Sequence, residues 1–170
     1  LRAKYPGFMA PEIVAKTGWT TNELATHLIH TVLQKQYDFV TLLIGVNNQY
    51  RNLSITEFDQ EFTFLLLKAL QYNGHQNSRV FVLSIPDWAH TPFAQKKSEE
   101  TGLNLTEISA QIDAFNEVIK KRCEDMEIGF IYITDFTRNC APEMIAQDGL
   151  HYSAKMHQIW AGLLLEKFIL

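Results

Sequence analysis

Residues 39–48 read FVTLLIGVNN, and this stretch decides the fold. A continuous apolar run that ends at a glycine is typical of a strand buried on both faces, as in parallel sheets. Similar short runs predict strands over Glu12–Lys16, Arg79–Ile85 and Gly129–Thr134, and a stretch of helical period follows each run. This βαβαβαβα order predicts one α/β domain over residues 1–170, with a parallel sheet and helices on both faces.

Three helix starts are predicted from capping signals. A Ser, Thr or Asn followed three residues later by Glu satisfies free N–H groups at a helix N-terminus. The pairs are Thr20 with Glu23, Ser54 with Glu57, and Asn104 with Glu107. The first of these helices has a predicted apolar stripe of Leu24, Leu28, Val32 and Leu33, and a last helix is predicted from near Ser153.

Composition indicates an ordinary globular protein, with 46% hydrophobic residues, 20% charged residues and a net charge of −4. No apolar stretch reaches the roughly 18 residues that a membrane helix needs, which predicts a soluble chain. Lysines and arginines are scattered, so nucleic acid is not an expected partner. Cys123 and Cys140 have no metal-ligand spacing, and no metal or other cofactor is expected. The first residue is Leu1, so cytoplasmic and exported locations both stay open.

Four polar or glycine-containing segments directly follow the predicted strands. They carry Gly18, Asn47, Asp87 and the pair Asp148 and His151. Because ligands bind beyond the carboxyl ends of parallel strands, we expect these residues to converge on one edge of the sheet. An aspartate three residues before a histidine can fix the imidazole tautomer and stabilise its charged form. The amide of Asn47 is able to donate a hydrogen bond to a developing oxyanion.

Spacing alone leaves alternatives open for each of these residues. The Asp-x-x-His pattern occurs twice, as Asp87 with His90 and as Asp148 with His151. Either pair could instead be a turn aspartate beside a solvated histidine. Asn47 could belong to an ordinary Asn-rich turn, and a tight turn would explain Gly18.

A resemblance favours one of these interpretations. Four segments, residues 15–21, 44–51, 83–88 and 148–153, resemble in order and spacing the later sequence blocks of the SGNH hydrolases, or GDSL lipase/esterase family. The resemblance implies a flavodoxin-like three-layer α/β/α fold and a Ser-His-Asp triad. It implies that Gly18 and Asn47 are oxyanion donors, and that His151 and Asp148 are the general base and its partner. The third block more often reads Gly-x-Asn-Asp, and here Asn48 replaces the aspartate.

The family's first block, Gly-Asp-Ser at the end of the first strand, is absent from the sequence. The six serines are Ser54, Ser78, Ser84, Ser98, Ser109 and Ser153, and none lies in such a motif. Ser54 and Ser153 are interpreted as helix caps, and Ser84 lies inside a predicted strand without an exposed turn. We therefore expect the nucleophile and one further strand to lie upstream of Leu1. The family's sheet order places that strand between the first and second predicted strands.

The expected activity is hydrolysis of a small-molecule ester, with residues 1–170 alone almost inert. Trp88 and Phe93 are expected to line the acyl pocket, with Tyr50 and Arg51 at its rim. The alternative is a non-catalytic binding domain that kept the fold and lost the nucleophile. A Gly-Asp-Ser motif in the upstream reading frame would separate the two hypotheses. The sequence predicts neither the acyl group nor the oligomeric state.

Overall fold

The computed structural model describes residues 9–34 and 36–168. In this part of the chain three parallel strands form one sheet in the order β1-β2-β3. The strands are β1 (Val40–Leu42), β2 (Val80–Leu83) and β3 (Gly129–Ile131). Each lies within a predicted run, and the central strand β2 is buried along its whole length.

Seven α-helices surround this sheet in the described residues. They are α1 (Thr21–His30), α2 (Val46–Tyr50), α3 (Ile55–Tyr72), α4 (Pro92–Thr101), α5 (Leu105–Asp125), α6 (Thr134–Arg138) and α7 (Ala154–Phe168). All three predicted caps are present. Thr20 and Glu23 form a reciprocal capping box, and the Ser54 and Asn104 side chains accept hydrogen bonds from the N–H groups of Glu57 and Glu107.

The layers follow from the alternation of side chains along β2. Val80 and Val82 belong to one buried cluster that includes α3 and α5, whereas Phe81 and Leu83 pack with α7. Successive side chains of a strand point to opposite faces, so β2 buries apolar surface on both sides. The predicted α/β fold with a parallel sheet is confirmed.

The predicted strand over Glu12–Lys16 is wrong. The segment carries no strand, and Ile13 is 79% exposed. A strand is stable only when a neighbour accepts its backbone hydrogen bonds, and no described strand lies beside this segment. The side of β1 that faces away from β2 also carries no strand in the described residues.

Helix α1 is shorter than its predicted stripe. It ends at His30, and Thr31 has extended backbone angles, so Val32 lies outside the helix and is 98% exposed. Thr31 and Val32 are β-branched, which weakens their helix propensity. The stripe is therefore correct only as far as Leu28.

Two segments that follow strands contain helices near the carboxyl edge of the sheet. Helix α2 follows β1 directly, and Gly45 precedes it with a φ of 122°. A Cβ atom on Gly45 would lie 2.8 Å from atoms of both Ile85 and Phe58. The segment after β2 contains a 3₁₀ turn at Trp88–His90, and α4 follows it.

Replacing Gly45 by alanine is expected to destabilise the protein. The substitution combines a positive φ with a clash against two core side chains, so a loss of about 2 kcal/mol or more is expected. Gly162 in α7 has open space around it. Gly162→Ala is the control and should raise stability by about 0.5–1 kcal/mol. Urea unfolding measures both, and equal stability of the two variants would contradict the packing described for Gly45.

Candidate active site

The Asp148 and His151 side chains are in direct contact. Asp148 Oδ2 lies 2.6 Å from His151 Nδ1. The other carboxylate oxygen accepts hydrogen bonds of 2.9 Å from the backbone N–H groups of Leu150 and His151. Gly149 makes this turn with a φ of 73°. Because Nδ1 faces the carboxylate, Nε2 is directed away from it, on a side chain that is 65% exposed.

Hydrogen bonds to Asp148 stabilise its charged form. The Leu150 N–H, followed by the His151 ring and the His151 N–H, lowers the pKa of Asp148 to about 2. Asp148 therefore stays negative at neutral pH, as a partner of an imidazolium must.

The second Asp-x-x-His pair has a different arrangement. Asp87 is fully buried, and its Oδ2 lies 2.9 Å from Arg138 Nε but 3.8 Å from His90 Nε2. Its other oxygen accepts a hydrogen bond from the Ala89 N–H. Asp87 thus holds its own turn and pairs with an arginine, whereas Asp148 contacts its histidine.

Asp87 also supports the loop that carries His151. The Tyr152 hydroxyl donates a 3.0 Å hydrogen bond to the Asp87 carbonyl. Burial raises the pKa of Tyr152, so this hydroxyl stays a donor at neutral pH. On the other side, the Phe93 N–H donates to the Gly149 carbonyl at 2.9 Å. The start of α4 and the turn after β2 therefore both hold the His151 loop.

Gly18 and Asn47 lie next to each other, as predicted. Asn47 Nδ2 donates a 3.0 Å hydrogen bond to the Trp19 carbonyl, and Arg51 donates a 2.6 Å hydrogen bond to the Gly18 carbonyl. A side-chain amide has two N–H bonds, and Asn47 has no other acceptor in the described part of the chain. The second N–H bond of the Asn47 amide and the Gly18 N–H therefore have no acceptor among the described residues.

The predicted substrate-binding residues form two groups. Tyr50 is 46% exposed, contacts the Trp88 ring edge-on at 5.2 Å and accepts a hydrogen bond from Lys97. Trp88 itself is only 5% exposed, and its ring N–H donates to Gln49. Lys97 also lies 5.8 Å from the centre of the half-buried Phe93 ring. Arg51 lies apart from this cluster, since it binds Gly18 and Glu23.

None of the six serines forms a hydrogen bond with His151. Ser84 is fully buried, and its Oγ accepts hydrogen bonds from the N–H groups of Ile133 and Thr134. Ser54 caps α3. Ser153 accepts a hydrogen bond from His157 N–H through its carbonyl, but its hydroxyl donates to the Glu143 carbonyl instead of capping α7.

Sequence analysis missed Gln49 and Lys97, which join α2 to the segment after β2. Gln49 is 5% exposed and bonds to Trp88 and, through its amide nitrogen, to Gln111. No motif signals either residue, because their partners are 39 to 62 positions away.

Among the described residues no group of three or more His, Cys, Asp or Glu side chains could hold a metal ion. No helix in the same residues is long and apolar enough to cross a membrane.

Comparison with known proteins identifies the family. The model of the GDSL-like lipase/acylhydrolase family matches residues 1–159. The chain belongs to this family. The resemblance found in the sequence is thereby confirmed, and ester hydrolysis is supported as the general class of activity. No curated protein sequence matches the chain significantly.

Solved structures share the fold at low sequence identity. A variant of an acetyl xylan esterase from Geobacillus stearothermophilus is 19% identical, with a TM-score of 0.70 over 98% of this chain and 76% of the other. A GDSL-like lipase from Bacteroides thetaiotaomicron is 14% identical, with a TM-score of 0.65 over 88% and 70%. An α/β hydrolase from the metagenome of Lake Arreo, Spain, is 16% identical, with a TM-score of 0.65 over 88% and 68%.

The protonation of Asp148 tests the geometry of the pair. A lowered pKa means that the hydrogen bonds to the carboxylate contribute fully above about pH 4, where an unfolded aspartate is ionised, and are lost as the pH falls through about 2. Carboxyl ¹³C NMR of the folded protein should show a midpoint well below that of an ordinary aspartate. In His151→Ala the midpoint should rise only in part, because the Leu150 N–H remains. A midpoint near 4 in the wild type would contradict the described contacts.

Proposed function

We propose that this protein is a serine ester hydrolase in which His151 is the general base and Asp148 its partner. The contact of 2.6 Å between Asp148 Oδ2 and His151 Nδ1 carries this proposal. It fixes the proton on Nδ1 and leaves Nε2 as the basic nitrogen, on an exposed ring. Membership of a lipase/acylhydrolase family supports acyl transfer as the chemistry of such a pair.

The reaction divides into two acyl transfers. His151 Nε2 accepts the proton of a serine hydroxyl as the serine oxygen attacks the ester carbonyl, and the resulting imidazolium then protonates the leaving alkoxide. Water attacks the acyl-serine in the second half, with His151 again accepting and returning a proton. Asp148 stays ionised throughout and stabilises the imidazolium.

Gly18 and Asn47 are proposed to stabilise the oxyanion of both tetrahedral intermediates. The Asn47 amide is held by its hydrogen bond to the Trp19 carbonyl, which places its second N–H beside the Gly18 turn. Donors that are fixed before the reaction stabilise developing charge without reorganisation.

The nucleophile is proposed to be a serine outside residues 1–170. Ser84 is buried and bonded to backbone N–H groups, and the hydroxyl of Ser153 is bonded to the Glu143 carbonyl. The matching structures are longer than this chain, which covers 68% to 76% of their length. This leaves room for a further strand and its serine.

The substrate is proposed to be a small-molecule ester. The acyl group would contact Tyr50 and Phe93, with Trp88 forming the floor beneath Tyr50 and Arg51 holding the oxyanion turn. A first panel compares acetylated sugars with short and long alkyl esters. Acetylated sugars are included because one matching structure is an acetyl xylan esterase.

Matched substitutions test which of the two Asp-x-x-His pairs is needed for activity. In the complete protein, His151→Ala should lower kcat by about 10³-fold or more, because the general base is lost. His90→Ala should keep most of the activity, because Asp87 pairs with Arg138 instead. The kcat of both variants is measured with the preferred ester of the panel. Near-wild-type turnover by His151→Ala would overturn the assignment.

A serine-directed fluorophosphonate locates the nucleophile. The protein encoded by the complete reading frame should be labelled once, on a serine outside residues 1–170, as shown by peptide mass spectrometry. Labelling should fall in His151→Ala, because the serine is no longer activated. A label on any of the six serines in residues 1–170 would contradict the proposal. No label and no ester hydrolysis would favour a binding domain.

A further inference from the structure

The segment that carries Asn47 is tied to the segment that carries Gly18 by three neighbouring side chains. Arg51 bonds to the Gly18 carbonyl, Asn47 to the Trp19 carbonyl, and Asn48 to both the N–H and the hydroxyl of Thr21. Asn48 is 1% exposed and Thr21 is fully buried, so the Asn48 contacts are the inner ones. Thr21 is the first residue of α1, and its N–H has no partner within that helix.

The Thr21 N–H, which can only donate, determines which atom is the donor in each hydrogen bond of this group. The Thr21 N–H donates to Asn48 Oδ1 at 3.0 Å, so the amide nitrogen of Asn48 must face the Thr21 hydroxyl, to which it donates at 2.7 Å. The single hydroxyl hydrogen of Thr21 is then left for Glu61 Oε2 on α3. Glu61 Oε1 accepts from the Asn22 amide at 3.0 Å.

We infer that Asn48, Thr21 and Glu61 form a relay that positions the oxyanion donors and that requires a neutral residue at position 48. This inference rests on the proposed ester hydrolase function. Asn48 supplies an acceptor for a backbone N–H and a donor for a hydroxyl, and only an amide provides both here. The negative charge of the group lies on Glu61, whereas the family more often has an aspartate at position 48.

The relay acts on catalysis through Asn47, its neighbour on α2. Helix α2 has only five residues, so its own hydrogen bonds hold it weakly. The Asn48 contacts fix α2 against the N-terminus of α1 and thereby fix the distance between the Asn47 amide and Gly18. A displacement of about 1 Å in such a donor can cost about 10²-fold in rate.

Reversal of the charge arrangement tests the relay. Asn48→Asp keeps the acceptor for the Thr21 N–H. It also places a second carboxylate, next to that of Glu61, against the Thr21 hydroxyl, which has only one hydrogen to donate. In the complete protein this variant should lose about 10-fold or more in kcat with KM within about twofold, because only the donors that act in the transition state move. Asn47→Ala gives the reference value for a lost donor.

The double variant Asn48→Asp/Glu61→Gln should recover kcat to within about threefold of the wild type. The glutamine nitrogen donates to the Thr21 hydroxyl, which then donates to the new carboxylate, so that all partners are satisfied with reversed polarity. Glu57, an exposed residue of the same helix, provides the control. Asn48→Asp/Glu57→Gln removes the same charge elsewhere and should give no recovery.

Thermal unfolding of the same variants distinguishes the possible failures. Asn48→Asp should lower the Tm by about 4 °C or more, and Glu61→Gln should restore it. Independent effects of the two substitutions on both Tm and kcat would overturn the relay. Recovery of Tm without recovery of kcat would overturn its catalytic role. Absence of ester hydrolysis by the wild-type protein, with recovery of Tm intact, would refute the proposed function and leave the relay a structural one.

Discussion

The architecture depends on satisfying buried backbone groups where three very short strands end. Each strand pairs over only three or four residues, yet Ser84 and Ile85 after β2, and Ile133 and Thr134 beyond β3, are fully buried. Asn116 of α5 accepts from the Ile85 N–H and donates to the Ile85 carbonyl, and the Ser84 hydroxyl accepts from the Ile133 and Thr134 N–H groups. An unpaired buried N–H or C=O would cost about 1–3 kcal/mol, so these side chains replace the missing ladder.

The need to satisfy backbone N–H groups also applies to Asp87 and Asp148, but these two aspartates differ in their second partner. Each carboxylate first accepts a backbone N–H in its own turn, Ala89 for Asp87 and Leu150 for Asp148. The second oxygen of each carboxylate contacts a side-chain donor. For the buried Asp87 this donor is Arg138, which neutralises its charge, and for the exposed Asp148 it is the His151 ring. Burial and an arginine 51 positions away therefore determine which aspartate pairs with its histidine, and neither can be read from the spacing.

Sequence patterns predict those structural features that depend on residues close together in the chain. The capped helix starts at Thr20, Ser54 and Asn104 and the strand after Phe39 depend on neighbouring residues and are correct. The burial of that strand on both faces is wrong, because Thr41 is exposed and Val40 and Leu42 are only partly buried. The segment Glu12–Lys16 has the apolar pattern of a strand but no strand partner among the described residues, so the pattern does not predict its structure. The contacts of Asn48 with Thr21, and of Gln49 with Trp88, join residues 27 and 39 positions apart and leave no local signal. The resemblance predicts which residues form the site, and the structure shows the hydrogen-bond partners of those residues.

The candidate site has two halves that are built independently and joined by one cluster. One half, proposed to bind the oxyanion, consists of the Gly18 turn and α2, which are held together by Arg51 and by the Asn48–Thr21 hydrogen bonds. The other half carries His151 and is held by Tyr152 and Phe93. Tyr50 packs on Trp88, and Lys97 contacts both Tyr50 and Phe93, so this cluster spans the two halves. Both halves are fixed by hydrogen bonds, and their connection combines the packing of Tyr50 on Trp88 with hydrogen bonds from Trp88 to Gln49 and from Lys97 to Tyr50. Neither the Asp148–His151 contact nor the hydrogen bond from Asn47 to the Trp19 carbonyl uses a side chain of this cluster, so substitution of Tyr50 or Lys97 leaves both sets of partners in place.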